Sequence, residues 1–203
     1  MKRLTLGFTF TAIMLFTNVT ANKIFSLAPS TNPTHKEFLD DTDSIAYVEY
    51  SDGTLTFHYD NNIESRTGIV YSDIALSSSS DKWEAYKNEI TKVIIDSSFA
   101  QVLPTTTSNW FNGFKNLESI EGLQYLNTRN VTTMYGMFNG VGMSSKKITS
   151  LDLSNFDTGN VINMSYMFNS CKYLQTVLIS DTWSTEKVSS SSNMFYMCNK
   201  LVG

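Results

Sequence analysis

Four side chains in this sequence can offer a histidine nitrogen or a cysteine sulfur to a metal: His35, His58, Cys171 and Cys198. A zinc site built from three or four nitrogen and sulfur ligands would consume nearly all of them. Neither histidine lies near the cysteines in sequence, so no metal-ligating residue is assigned. Asp40, Asp41 and Asp43 cluster as calcium ligands do, but the spacing lacks the glycine and distal glutamate of an EF-hand loop, and a solvated acidic linker explains them. Asn130-Val-Thr132 and Asn163-Met-Ser165 match glycosylation acceptors, yet both fall inside a recurring pattern in which asparagine is expected to bond backbone at a turn. No spacing brings a nucleophile, a base and an orienting acid together. The chain is therefore expected to be non-enzymatic, with no catalytic or cofactor-binding residue and no cofactor.

The cysteines stand 27 residues apart, each three residues after a phenylalanine (Phe168 and Phe195), at a phase where earlier segments carry Phe114 and Val141. Bulky apolar residues at that phase predict inward side chains, so the first expectation is buried free thiols acting as small hydrophobes. A disulfide is the alternative. Neighbouring strands lie about 4.8 Å apart, close to the Cα separation a disulfide tolerates, and an exported chain meets oxidising surroundings.

Those positions belong to a chain of 203 residues, long enough to fold around a core without covalent staples. Its 41% apolar and 17% charged residues exclude a disordered tail. A net charge of −4 disfavours binding to nucleic-acid phosphates. Residues 1–21 read as a secretory signal peptide: Lys2 and Arg3, the uncharged run Leu4 to Phe16, then small residues at Val19-Thr20-Ala21. This run of 13 residues falls short of the roughly 20 that span a bilayer as a helix. No membrane span is expected after cleavage, and the location is outside the cell or on its surface. Residues 22–36 read as a flexible linker and 37–89 as a small β-rich cap region. There Ser44–Tyr50 and Thr54–Tyr59 alternate around Ser51-Asp52-Gly53 as a hairpin does, Arg66–Ile74 offers a third strand, and Asp81 with Glu84 can cap one short helix.

From residue 90 the sequence repeats. Val131-x-x-Met134-x-x-Met137-Phe138 returns as Val161, Met164, Met167 and Phe168, and again as Val188, Ser191, Met194 and Phe195, at offsets of 30 and 27 residues. Trp110-Phe111 marks an earlier, degenerate copy. A second landmark, apolar-x-x-apolar-x-apolar, keeps the same phase at Ile90/Val93/Ile95, Ile148/Leu151/Leu153 and Leu174/Val177/Ile179. At Leu117/Ile120 the third member is Gly122, a slip that a bulge at Leu123 would repair. Units of this length bury their apolar positions only by stacking. The predicted fold is an α/β repeat solenoid, leucine-rich-repeat-like. Each rung has one short parallel strand and one helical or turn segment, the latter taken from the helical spacing of the valine, methionine and phenylalanine positions. Rungs are placed near 90–116, 117–147, 148–173 and 174–200, with 201–203 starting another. An open end of that kind exposes apolar surface unless capped. The Ser189–Ser192 run predicts a loosely packed wall, and the extra residues around Gly140 to Met143 a protruding loop.

The run Leu151-Asp-Leu-Ser-Asn-Phe-Asp-Thr-Gly-Asn-Val161, followed by Asn163-Met-Ser-Tyr-Met-Phe168 and Cys171, resembles the repeat of the BspA-like leucine-rich repeat surface proteins of bacteria. The likeness covers roughly Ile90 to Gly203. The stretch from Gly53 through Ser97-Ser-Phe99 to Trp110-Phe111 is similar to the leader before such arrays in Bacteroidales members. The resemblance implies a secreted or surface protein that binds macromolecules, proteins or glycans of host matrix or other cells, and supplies no catalytic residues.

Function is then expected on outward strand positions. Lys92, Ser119, Ser150 and Thr176 form one row, and Ile94, Glu121, Asp152 and Leu178 a second; Asp96, Leu123, Ser154 and Ser180 follow. The candidate binding surface is Lys92, Ser119, Glu121, Ser150, Asp152, Thr176 and Leu178. A structural spacer or a remnant of a longer array is the alternative role. An exported hydrolase, with paired carboxylates in the N-terminal region, is a third. The oligomeric state is not legible.

Overall fold

The structure is a computed structural model and describes residues 44–72 and 83–202. The expected signal peptide and linker, His35, Asp40, Asp41, Asp43 and the helix cap at Asp81 lie outside the described residues. Strand β1 (Ile45–Ser51) pairs antiparallel with β2 (Thr54–Asp60). Asp52 and Gly53 make the turn with φ of 46° and 76°, the doubly left-handed geometry that the Asp-Gly pair supplies at least cost. Strand β3 (Ile69–Tyr71) borders β1 antiparallel, shorter than the 66–74 stretch suggested. Strand β4 (Lys92–Ile95) joins β2 in parallel, and β5 (Ser119–Glu121) joins β4 in parallel. The five-stranded mixed sheet therefore has the order β3-β1-β2-β4-β5. Strands β6 (Ser150–Asp152) and β7 (Thr176–Leu178) form a separate parallel pair.

The α/β solenoid with a helical segment in each rung is not what forms. Among the described residues the chain is β-rich, with these two sheets, short 3-10 turns and no α-helix. Even the expected helix after Asp81 is, where described, a three-residue 3-10 turn at Glu84–Tyr86. The physical reason lies in the segments with i+3 spacing. Trp110 donates to the Thr107 carbonyl, Asn112 to Asn109 and Phe114 to Phe111, so the local bonds close three-residue turns and never a helical i−4 ladder. Left-handed residues recur at fixed places, Asn109, Gly136, Tyr166 and Asn193 near φ 60°, then Gly113, Gly140, Ser170 and Met197 four residues later. A helix cannot pass through them.

The N–H groups between those turns reach the next segment. Asn109, Phe111 and Gly113 donate to the carbonyls of Tyr135, Met137 and Asn139; Gly136, Phe138 and Gly140 donate to Ser165, Met167 and Asn169; Tyr166, Phe168 and Ser170 donate to Ser192, Met194 and Tyr196. Parallel bridges Thr106↔Thr133↔Asn163↔Ser190 continue the register. Side-chain oxygens support it. Thr106 Oγ1, Thr133 Oγ1 and Asn163 Oδ1 each accept the N–H two residues on, at 3.0, 3.3 and 2.9 Å, which is the role expected for Asn163. Fully buried Thr128 and Thr158 tie neighbouring segments on another side, donating to the Asp157 and Ser184 carbonyls at 2.9 and 2.8 Å.

One apolar interior runs beneath the hairpin and the repeating segments. Phe57 is ringed by Trp83, Phe99, Trp110 and Phe111, and the Trp83 indole N–H donates to the Trp110 carbonyl at 2.8 Å. From there the rings of Phe111, Phe138, Phe168 and Phe195 follow one another at 5.5, 5.6 and 5.3 Å. Met134, Met137, Val161, Met164 and Leu151 are buried among them. Burial fades in the last segment, where Phe195 is 47% exposed and Ile179, expected inward, 54%. The Ser189–Ser192 side chains are exposed, while the Ser190 and Ser192 carbonyls accept from Met164 and Tyr166.

Two further expectations are corrected. Gly122 does not weaken a strand that a bulge repairs. It adopts φ 80°, starts the 3-10 turn Leu123–Tyr125, and lies so close to Ile95 that a Cβ would stand 2.0 Å from the carbonyl oxygen. The extra residues after Phe138 do not protrude. Val141 and Gly142 are buried; Gly142 donates to the Phe114 carbonyl, Ser144 to Lys115, and the Ser145 hydroxyl to Leu117 at 2.5 Å. The insertion is bonded back onto the preceding segment.

Candidate functional site

Alternation along short strands turns every second side chain outward, and the parallel registers align them. Lys92 stands opposite Ser119 and Ile94 opposite Glu121 across β4 and β5; Ser150 stands opposite Thr176 and Asp152 opposite Leu178 across β6 and β7. The seven candidate residues are thus brought together as two groups, one on each sheet, since β5 and β6 are not paired. Within the first group the Lys92 ammonium meets Glu121 Oε1 at 2.7 Å. That pair is exposed and worth about 0–1 kcal/mol, so a partner can displace it at small cost. In the second, Asp152 Oδ1 accepts the Ser154 N–H at 3.0 Å, and the Ser154 hydroxyl and N–H hold the carboxyl below its ordinary pKa. Leu178 is 49% exposed and gives this group an apolar contact.

Between the groups lies a cleft of about 270 Å³. Its walls are the facing edges of β5 and β6, its apolar lining Ile120, Leu123 and Leu151, and its rim Gln124, Ser150, Asp152, Ser154 and Asn155. At the cleft the strand ladder that joins β4 to β5 and β6 to β7 is interrupted, and the insertion around Gly140–Ser145 bonds to the Phe114, Lys115 and Leu117 carbonyls just before β5.

A second polar assembly covers the outer face of the hairpin and was not anticipated. The Tyr47 hydroxyl donates to Asp60 Oδ1 at 2.6 Å; Arg66 reaches Asp60 Oδ2 at 2.8 Å, the Tyr47 hydroxyl at 2.8 Å and His58 Nδ1 at 3.2 Å. Because the guanidinium can only donate, His58 Nδ1 is an acceptor and the ring proton sits on Nε2, 3.6 Å from Glu49 Oε2. Burial, then the Arg66 charge, lowers the His58 pKa. Burial and the Asp60 hydrogen bond push Tyr47 up to about 12. Burial works upward on Asp60, but the bonds from Tyr47 and the Asn62 N–H, with Arg66, outweigh it and hold Asp60 below its ordinary value. These groups, except His58 Nε2, which has no hydrogen-bond partner, bond one another and fasten the 61–68 loop to the sheet, with Gly68 N–H donating to Glu49 at 2.9 Å. Period-two alternation on the hairpin puts Tyr47, Glu49, His58 and Asp60 on one face and could have found four of the five; Arg66 arrives from the loop and leaves no sequence signal.

The cysteines are free thiols in the structure. Cys171 is buried and donates to the Phe138 carbonyl at 3.0 Å; half-buried Cys198 donates to Phe168 at 2.9 Å. Burial raises the Cys171 thiol to about 12 and raises Cys198 as well. No cluster of three metal-ligating side chains occurs among the described residues.

Residues 78–203, more than half of the chain and the whole of the repeating region from β4 to β7, match the family described as Mycoplasma protein of unknown function, DUF285. The chain belongs to that family. No curated protein and no solved structure matches it. The DUF285 region holds both groups of candidate residues and the cleft, while the hairpin with its His58 assembly precedes it. No helix among the described residues is long and apolar enough to cross a membrane.

Proposed function

We propose that this DUF285 member is an exported, non-enzymatic binding module that holds a protein or glycan partner, of a host matrix or of other cells, through the outward face of its short parallel strands. The observation that carries this is the strand register, which sets Lys92 beside Ser119, Ile94 beside Glu121, Ser150 beside Thr176 and Asp152 beside Leu178. Such a surface gathers many small polar contacts and a few apolar ones, the composition of an interaction face more than of a reaction centre. The charged, apolar-run and small-residue order of residues 1–21 supports export. The likeness of Leu151–Cys171 to BspA-like surface repeats supports a macromolecular partner.

The test is adsorption of the mature chain, residues 22–203, to immobilised mucin, matrix proteins and bacterial cells. The triple variant Glu121→Arg, Asp152→Arg, Leu178→Asp alters only exposed side chains. The proposal expects saturable binding by the native chain and at least about tenfold weaker binding by the variant, the loss of about 1.4 kcal/mol. Equal binding by both chains, or no binding to any surface, overturns it.

A further inference from the structure

The interrupted ladder is the most specific feature of the molecule that the fold does not use. Ser119 N–H donates to the Thr91 carbonyl, so β5 turns the backbone groups of residues 119 and 121 toward β4. Alternate residues of a strand address opposite edges, and Ile120 therefore presents its N–H and C=O to the cleft. On the other wall, Thr149 accepts from Gln175 and Thr176, and Leu153 donates to Leu178, so β6 turns residues 149, 151 and 153 toward β7. Ser150 and Asp152 present their N–H and C=O groups to the cleft from that side. Two parallel strand edges thus face each other across a cleft of about 270 Å³, lined on its apolar side by Ile120, Leu123 and Leu151. Unpaired edges are templates for another strand.

We infer that the cleft between β5 and β6 binds a short extended polypeptide by strand addition, the peptide taking the place of the missing ladder. This deepens the binding-module reading and rests on it. The peptide runs parallel to β5 and β6, as each existing neighbour does. Its backbone meets Ile120 on one edge and Ser150 and Asp152 on the other, and every second side chain meets the Leu123–Leu151 floor. The Asp152 carboxylate at the rim, kept ionised by Ser154, favours a cationic side chain there. Main-chain bonding gives affinity with little demand on sequence, which suits a surface meeting varied protein partners.

The probe is an acetylated, amidated hexapeptide of residues 91–96, Thr-Lys-Val-Ile-Ile-Asp, which is β4 with one flanking residue at each end, titrated into the isotopically labelled 22–203 chain and followed by amide chemical shifts. A second peptide is N-methylated at alternate residues, which removes the donors of one edge and leaves the side chains unchanged. The expected result is saturable shifts at Ile120, Gly122, Ser150 and Asp152, with at least about tenfold weaker binding of the N-methylated peptide, the equivalent of one or two net hydrogen bonds. Ser150→Pro, which deletes an N–H that no neighbouring strand uses, is expected to weaken the hexapeptide by a similar factor. Gln124→Trp, which narrows the mouth without touching either ladder, guards against a folding defect in the proline variant. Shifts at another surface, equal affinity for both peptides, insensitivity to Gln124→Trp, or shifts in the cleft with hexoses and not with the peptide each overturn the inference. Adsorption to mucin or cells that persists in Gln124→Trp while the hexapeptide produces no shifts sinks the cleft and leaves the binding module standing; loss of adsorption in the native chain sinks both.

Discussion

Replacing Phe138 by alanine tests how the repeating segments share their interior. Phe138 is fully buried and lies between two rings, Phe111 at 5.5 Å and Phe168 at 5.6 Å, with the latter stacked nearly parallel to it. Truncation removes a whole aromatic side chain from a closed site and leaves a cavity, a change that costs about 3–5 kcal/mol. Phe195 stacks at 5.3 Å on Phe168 alone and is 47% exposed. With half its surface already in water, Phe195→Ala should cost about 1–2 kcal/mol by the same bookkeeping. Against a total of about 5–15 kcal/mol for a domain, the first is a large fraction and the second a small one. Urea denaturation of both variants beside the native chain reads the difference directly. Adding Phe168→Ala to Phe138→Ala should expose a coupling of about 0.5–1.5 kcal/mol between stacked rings. Equal costs at Phe138 and Phe195, or a Phe138→Ala penalty below about 1 kcal/mol, would refute the continuous ring stack.

Three other outcomes follow from particular residues. Gly122→Ala should destabilise far more than Gly140→Ala in the same urea assay: both have positive φ and share a strain of about 1–2 kcal/mol, but only Gly122 would drive a Cβ to 2.0 Å from the Ile95 carbonyl, while nothing lies within 4 Å at Gly140. Because folding lowers the His58 pKa, the unfolded chain takes up the proton first; stability should be full above about pH 6.5 and fall as pH drops through that value, and the difference between native and His58→Gln stability curves isolates this slope from His35. Cys171, raised to about 12, carries roughly one part in ten thousand thiolate at pH 8, so mass spectrometry after iodoacetamide should find it unmodified until urea unfolds the chain, with Cys198 alkylated first.

The hairpin was legible because Asp52-Gly53 names one turn geometry, and the outward rows because period two survives any parallel register. The turn segments were misread for a physical reason: a run of three-residue turns and a helix both place an inward side chain about every third residue, so Val161, Met164 and Met167 fit either. Only glycines at 113, 136 and 140 signalled left-handed backbone, and the equivalent positions Tyr166, Ser170, Asn193 and Met197 carry side chains that hide it. The insertion was visible as a 30-residue spacing, but its hydrogen bonds to the Lys115 and Leu117 carbonyls depend on partners distant in sequence. The His58 assembly was missed because Arg66 completes it from a loop.

The repeating segments are held by backbone bonds running between successive segments instead of within a helix. Through-hydrogen-bond scalar couplings in a long-range HNCO spectrum observe such bonds one at a time. The structure predicts cross-peaks from the amide of Phe111 to the carbonyl of Met137, from Phe138 to Met167 and from Phe168 to Met194. Couplings from each amide to the residue four before it along 161–168, with none between segments, would contradict it.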